Sequence, residues 1–216
     1  MNKSNFKTAM MLTSALAMTA SVLFTACGND EPSVGSQVDE QGLTQGIHDM
    51  IPDDILNKMV DIGMPIIGGG NPPDVTGTFL GAPWKLKAST QSSDVAGAWY
   101  YDVYVTFSDQ DNQKLTVKVN IITNGTDSKS EEAYIVGKDS SFTVFAKLDN
   151  VERDLHYKTA KIYSGTISKL GGIKNLYSSS VMLDNMGDPY NDLMDNGTVR
   201  LIYDSDGFSE KVELDN

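Results

Sequence analysis

The chain has 216 residues, of which 40% are hydrophobic and 21% are charged, a composition typical of a folded globular domain. It contains 17 Lys and Arg against 29 Asp and Glu, and its net charge of −12 argues against nucleic acids and anionic membrane surfaces as electrostatic partners. A single Cys excludes an intrachain disulfide and a thiolate metal cluster, and two His argue against an all-His metal site. We therefore predict neither a metal nor a cofactor.

The N-terminal segment has the pattern of a targeting signal. A short basic region precedes an uncharged apolar run over residues 10–24, which is too short for a stable transmembrane helix. The run ends in Leu23-Phe24-Thr25-Ala26-Cys27, which resembles the lipobox of bacterial lipoprotein signal peptides, with Phe24 where that pattern more often has Leu. The resemblance implies that residues 1–26 are removed and that Cys27 becomes the acylated first residue. The alternative is a buried structural Cys after an ordinary secretory signal.

Two acidic residues follow Cys27 within the segment Gly28-Asn29-Asp30-Glu31-Pro32. This arrangement resembles the export signal of surface lipoproteins of the Bacteroidetes, which implies a lipid-anchored protein of the outer membrane that faces outward. The alternative is a polar tether, because acids and Pro suit any linker. Residues 27–46 contain few large apolar side chains, and we predict that they form the lipidated Cys and a flexible tether.

An amphipathic helix is predicted at the start of the folded region, within residues 47–74. Ile51, Ile55, Met59 and Ile62 recur at helical spacing, and a helix with such a stripe needs a surface to pack against. The segment 68–73, Gly-Gly-Gly-Asn-Pro-Pro, is compatible with neither a helix nor a central strand. We therefore predict that it is a hinge.

From residue 75 to the C-terminus, short β-like runs alternate with turn signals such as Asn124-Gly125 and Asp206-Gly207. Short connections require antiparallel neighbours, and a curled antiparallel sheet removes its exposed edges by closing on itself. We predict a mostly β, antiparallel up-and-down barrel of roughly nine or ten strands over residues 75–216. The predicted strands cover residues 75–80, 84–88, 98–107, 115–121, 133–136, 142–148, 157–168, 173–183, 198–204 and 208–214.

One stretch carries a family resemblance. Val75-Thr76-Gly77-Thr78-Phe79 resembles the opening Gly-x-Trp strand of lipocalins and related calycin barrels, with Phe79 in the place of the Trp. With the preceding residues 64–74, and with the segments 181–184 and 204–207, it resembles a family of uncharacterised lipocalin-like lipoproteins of the Bacteroidetes. The resemblance implies a lipocalin-like barrel and a lipid anchor. It implies no particular activity or site residues.

The candidate ligand-binding residues are aromatic. Trp99 is predicted to point into the core, since it alternates with Val103, Val105 and Phe107 along one strand. Tyr100 and Tyr104 would then lie on the outer face, where aromatic rings either stack on a sugar or form ordinary cross-strand pairs. Trp84 follows Gly-Ala-Pro, and we expect it either at the mouth of the barrel or packed against a corner. The candidate residues are Trp84, Trp99, Tyr100 and Tyr104.

The acidic segments are interpreted as turns. Residues 109–112 and 204–207 contain fragments of a calcium loop, but neither is followed by a Glu at the spacing that closes such a loop. His48 and His156 accompany no nucleophile motif, and we expect no catalytic residue at either position.

We predict a non-enzymatic cell-envelope lipoprotein that binds a small apolar or amphipathic ligand inside the barrel. Gly165, Ser178 and Ser180 would leave space for that ligand if they point inward. The alternative is a surface interaction protein with a filled barrel, which binds glycan or protein through its loops and outer aromatics. A third interpretation is a carboxylate-based hydrolase, since acids are abundant.

Overall fold

The computed structural model describes residues 37–152 and 155–214. The signal segment and Cys27 lie outside these residues. Within the described ranges the chain forms two short helices and eleven strands, and no helix there is long and apolar enough to cross a membrane. The helices are α1 (Gln45–Met50) and α2 (Asp53–Asp61). The strands are β1 (Gly77–Gly81), β2 (Trp84–Ser89), β3 (Trp99–Tyr100), β4 (Val103–Asp111), β5 (Thr116–Thr123), β6 (Thr126–Lys138), β7 (Ser141–Glu152), β8 (Leu155–Ile167), β9 (Ile173–Asp184), β10 (Val199–Asp204) and β11 (Phe208–Val212).

All eleven strands of the described chain belong to one antiparallel sheet, which confirms the predicted mostly β, antiparallel class. The strand order is β11-β1-β4-β5-β6-β7-β8-β9-β10-β2-β3, and the N-terminal end of β9 pairs in addition with β11. The pairing of β7 with β8 is the longest uninterrupted ladder of this part of the chain and runs from Ser141–Thr166 to Glu152–Leu155. Its alternation divides the side chains of both strands between two faces.

The first of these faces, which we call the inner face, is filled at one end by aromatic rings. Phe107 lies at the centre of this aromatic cluster, with ring centroids 6.2 Å from Phe79, 6.0 Å from Phe142 and 5.9 Å from Tyr163. All four side chains are buried and belong to one hydrophobic core with the inward residues of β5, β6 and β7. Edge-to-face contacts of this kind add to the stabilisation that burial provides.

The outer face of β6–β10 is covered by the two helices. Ile55, Leu56 and Met59 of α2 are buried in a second hydrophobic core with outward side chains of the sheet such as Phe145 and Ile162. The predicted apolar stripe is therefore confirmed as a packing surface. The structure differs in having a second helix, α1, directly before α2, with Thr44 capping its first turn through the Ile47 N–H.

Part of the segment 37–46 packs on the domain, so the prediction of a flexible tether is wrong for this C-terminal portion. Leu43 is buried, and His48 in α1 forms ion pairs with Asp39 at 2.8 Å and with Asp53 at 2.7 Å. The hydrogen bonds that the His48 ring donates to Asp53 and then to Asp39 raise the pKa of His48. Because the protonated ring bonds both carboxylates, this contribution to stability is present below the ordinary His pKa and is lost as the pH rises through the raised value. One side chain therefore ties the preceding segment to both helices.

The glycine segment is a crowded crossing rather than the predicted hinge. Gly69 donates its N–H to the carbonyl of Gly42 at 2.8 Å, and Gly137 of β6 donates to the carbonyl of Gly69 at 2.8 Å. A Cβ on Gly68 would collide with the Gln41 carbonyl oxygen. The three chain segments approach so closely because none of them carries a side chain at the crossing.

The predicted strand over residues 98–107 is in fact two strands that pair with different partners. Trp99 and Tyr100 pair with β2, whereas β4 begins at Val103 and pairs with β1 and β5. The break reverses the alternation, so Trp99 is 67% exposed while Tyr100 packs against the inner core. The prediction that Trp99 points into the core and Tyr100 outward is therefore wrong.

We predict that Gly68→Ala lowers the free energy of unfolding by about 3 kcal/mol, the upper end for overpacking, because the new Cβ meets backbone that cannot move aside. Gly125→Ala is the control, since Gly125 has φ 78° and open space around its Cα, and its conformational cost is about 1 kcal/mol. Urea unfolding of both variants measures the difference. Equal losses would show that the crossing tolerates a side chain.

Candidate functional site

A cavity of about 860 Å³ opens on the inner face beside the aromatic cluster. Its volume lies within the range of about 300–1,000 Å³ typical of small-molecule sites. Exposed residues such as Tyr101, Asn124 and Val151 form its mouth, and buried side chains form its depth. The lining residues are Trp84, Tyr101, Val103, Ile121, Thr123, Asn124, Thr126, Asp127, Ser128, Lys129, Leu148, Asp149, Asn150, Val151, Tyr157, Lys161, Tyr163, Ser178 and Ile202.

Tyr163 separates the filled end of the inner face from the cavity. Its ring contacts Phe107 in the aromatic cluster, and the same side chain lines the cavity. Burial raises the pKa of its hydroxyl, which is hydrogen-bonded to Ser178 of the neighbouring strand β9. The small Ser178 side chain lies opposite Tyr163 in the ladder, and this pairing gives the cavity a polar floor.

Lys161 lies two residues from Tyr163 on β8 and therefore faces the same side of the sheet. In the ladders it lies between Ala146 of β7 and Ser180 of β9, whose small side chains leave room for its stem. Its Nζ donates a hydrogen bond to Ser180 Oγ. Burial, and then the nearby charge of Arg200, lower the pKa of Lys161 to about 8. A shift in this direction means that the surroundings disfavour the ammonium form.

Arg200 of β10, in contrast, has a matched partner. Its Nε donates to Asp94 Oδ2 at 2.6 Å and its Nη2 to Asp94 Oδ1 at 2.9 Å, a bidentate pair between side chains that are 29% and 13% exposed. The guanidinium hydrogen bond holds the pKa of Asp94 below its usual value. The charge of Arg200 is therefore neutralised where it lies.

Trp84 is completely buried at the start of β2 and lines the same cavity. Its Nε1–H has no hydrogen-bond acceptor among the described residues. A Cβ on Gly81 would collide with the indole, so the glycine before the corner makes space for this ring. Asp204, the cross-strand neighbour of Trp84, accepts a hydrogen bond from Ser209 at 2.6 Å, and burial raises its pKa to about 6.

Of the four aromatic residues singled out in the sequence, Trp84 is the one found among the lining residues of the cavity. Trp99 lies on the surface with the Lys85 Nζ 4.4 Å from its ring centroid, and Tyr100 packs against the inner core. Tyr104 is partly buried and lies in the ladders between Leu80 and Ile122.

Sequence reasoning missed Lys161 and Tyr163. The signal that could have found them is the pattern from Ala160 to Tyr163, where a Lys occupies the same alternation as a buried aromatic residue. Of the three small residues proposed to leave space, Ser178 lines the cavity and Ser180 accepts a hydrogen bond from Lys161. Gly165 leaves no space, because Ile173 of the neighbouring strand packs where its side chain would be.

The acidic segment 204–207 forms a turn, as predicted, whereas residues 109–111 belong to β4 and the turn follows at residues 112–115. Asp111 Oδ1 accepts the N–H groups of Gln113 and Lys114, and Asp206 Oδ1 accepts that of Phe208. Such bonds from a carboxylate to the backbone two or three residues later are typical of Asp in turns. The described residues contain no group of three or more His, Cys, Asp or Glu side chains placed to hold a metal ion.

Comparison of the chain with protein-family models, curated proteins and solved structures finds no match. The lipocalin-like resemblance therefore stays a prediction from the sequence. The cavity and its charged groups are the observations on which a function can be proposed.

We predict that Asp94→Asn destabilises the protein by about 1–3 kcal/mol at pH 7, because it leaves the Arg200 guanidinium without its counter-charge. The folded-state pKa of Asp94 is lowered, so the carboxylate stabilises the protein above the ordinary Asp pKa of about 3.9, and this contribution is lost as the pH falls through the lowered value. The difference from the unchanged protein should therefore shrink in acid. Urea unfolding at pH 7 and pH 3 measures it, with the exposed Asp102→Asn as control; an equal effect of the two variants at pH 7 would contradict the prediction.

Proposed function

We propose that the protein binds a small amphipathic molecule in the inner-face cavity, and that a lipid on Cys27 anchors it to the outer membrane. The observation that carries the binding proposal is the cavity of about 860 Å³, which is closed at one end by Tyr163 and open at the other. Cavities with an apolar wall and a few polar groups are the usual form of small-molecule sites.

The distribution of side chains supports an amphipathic ligand over a purely apolar one. Ile121, Leu148 and Ile202 supply a buried apolar wall. Lys161 and the hydroxyl groups of Tyr163 and Ser178 supply polar groups in the same cavity. A molecule with one apolar and one polar part fits both surfaces.

The pairing of β11 supports a lipocalin-like barrel as the finer description of the fold. β11 pairs with β1 over three residue pairs and with β9 over two, Phe208–Lys174 and Ser209–Ile173. Following hydrogen-bonded neighbours from β11 through β1 and β4 to β9 thus leads back to β11. We propose that this circuit is the barrel, with β10, β2 and β3 as a flap of the sheet attached to β9.

Ligand binding is expected to raise the unfolding midpoint of the full chain carrying Cys27→Ser, a substitution that removes the acylation site. An amphiphile such as decanol or a bile acid at 100 times its dissociation constant should add about 2.7 kcal/mol. Thermal unfolding with and without each amphiphile, and with glycans, measures the effect.

Two neighbouring substitutions test whether the cavity is the site. Thr123→Trp places a large ring in the cavity and should abolish the shift, whereas Ile122→Trp places the same ring on the opposite face and should preserve it. A shift with glycans alone, unaffected by Thr123→Trp, would instead favour the outer-surface alternative.

Acylation is expected to depend on Cys27. Metabolic labelling with an alkyne palmitate analogue should mark the unchanged chain, and Cys27→Ser should lose the label. Replacing Asp30 and Glu31 with Asn and Gln tests the export signal: the double variant should keep the label but become protected from protease added to intact cells. Unchanged protease sensitivity would show that these residues are only part of a linker.

A further inference from the structure

The cavity contains a cationic side chain that no described carboxylate neutralises. Lys161 Nζ donates to Ser180 Oγ and forms no ion pair within the described residues. The charged group that acts most strongly on it is Arg200, which has the same sign. Lys161 therefore contributes an uncompensated positive charge close to the floor of the cavity.

The neighbouring Arg200, in contrast, is neutralised by a carboxylate. Arg200 is held by Asp94 through two hydrogen bonds, one from Nε and one from Nη2. An ammonium group has three donors, and one of those of Lys161 goes to Ser180. Removing such a group from water without a counter-charge is costly, and an anion that contacts it offsets that cost.

A second donor belongs to another cavity residue. The buried Nε1–H of Trp84 has no acceptor within the described chain. Buried donors of this kind are rare in folded proteins. The residues that line the cavity therefore include a hydrogen-bond donor that the described chain does not satisfy.

The negative charge of the rest of the protein disfavours nonspecific binding of anions. The net charge is −12, and the exposed Asp127 and Asp149 line the mouth of the cavity. The overall field therefore favours a cationic amphiphile over an anionic one. Preference for an anion would have to come from the local groups around Lys161.

We propose that the ligand is a monoanionic amphiphile whose head group is bound by the Lys161 ammonium, with its apolar tail along Leu148 and Ile121 toward the mouth. This inference rests on the proposed cavity-binding function and names its ligand class. A single negative charge matches the ammonium of Lys161, and a carboxylate also accepts the hydrogen bonds that this ammonium offers.

The test compares three probes with the same ten-carbon chain: decanoate, decanol and decyltrimethylammonium. The protein carries Cys27→Ser and Trp99→Phe, so that Trp84 in the cavity wall is its only Trp and reports binding by fluorescence. We expect decanoate to bind about 10- to 100-fold more tightly than decanol, the worth of a hydrogen bond to a charged group, and the cation to bind most weakly.

Substitutions assign the preference to one side chain. Lys161→Met keeps the length of the stem and should remove the preference for decanoate, because it lowers the affinity for decanoate far more than the affinity for decanol; Lys161→Arg should retain the preference. Lys158→Met is the matched control, because Lys158 lies on the same strand but faces the opposite side of the sheet, and it should change nothing.

Equal affinity for decanoate and decanol in the protein with Lys161 intact would overturn the inference and leave cavity binding standing. This comparison does not depend on whether any Lys161 variant folds. Binding of none of the three probes would overturn the proposed function and the inference with it. A decanoate preference that survives Lys161→Met would show that other groups select the anion and would also overturn the inference.

Discussion

The register between β7 and β8 is the constraint on which the rest of the structure depends. Because successive side chains point to opposite faces, this ladder places Tyr163 and Lys161 on the inner face and Ile162 under the helices. A slip by one residue would turn Ile162 into the cavity and bury the ammonium of Lys161 in the hydrophobic core that the helices share with the outer face. Burial on both faces therefore fixes the register, since each face accepts only one of the two sets of side chains. The cavity and the helix packing are two results of the same pairing.

Much of the fold follows from local patterns in the sequence. Alternation identified the strands that bury one face, and turns such as Asn124-Gly125 were predictable because both residues adopt positive φ. The first half of β6 was not predicted, because residues 126–132 are polar and mostly exposed and owe their strand conformation to pairing with β5 and β7. The break after Tyr100 was also missed, since an uninterrupted alternation says nothing about which partner each half of a run will pair with.

The site was less predictable than the fold. Alternation shows that Lys161 and Tyr163 share a face, but it does not show which end of the inner face is filled and which is hollow. That depends on where Phe79, Phe107 and Phe142, which are distant in sequence, converge. Trp84 could be predicted as a lining residue because a large aromatic residue follows the Gly-Ala-Pro corner. The predicted orientation of Trp99 was wrong because the strand breaks after Tyr100, which reverses the alternation of side chains. The contacts of Leu43 and His48 could not be predicted, because they form only when the helices are packed. Leu43 packs in the core with residues of both helices, and His48 pairs with Asp53.

The closed floor made by Tyr163 has a consequence for selectivity. In the proposed complex, a head group at Lys161 would lie at the closed end, and the tail would extend toward Tyr101 and Val151, which are exposed at the mouth. Additional carbon atoms at the end of the tail would then pass out of the cavity without colliding with protein. Such a site discriminates sharply between head groups and tolerates tails of different length, in contrast to a cavity in which the tail meets the floor and chain length is limited.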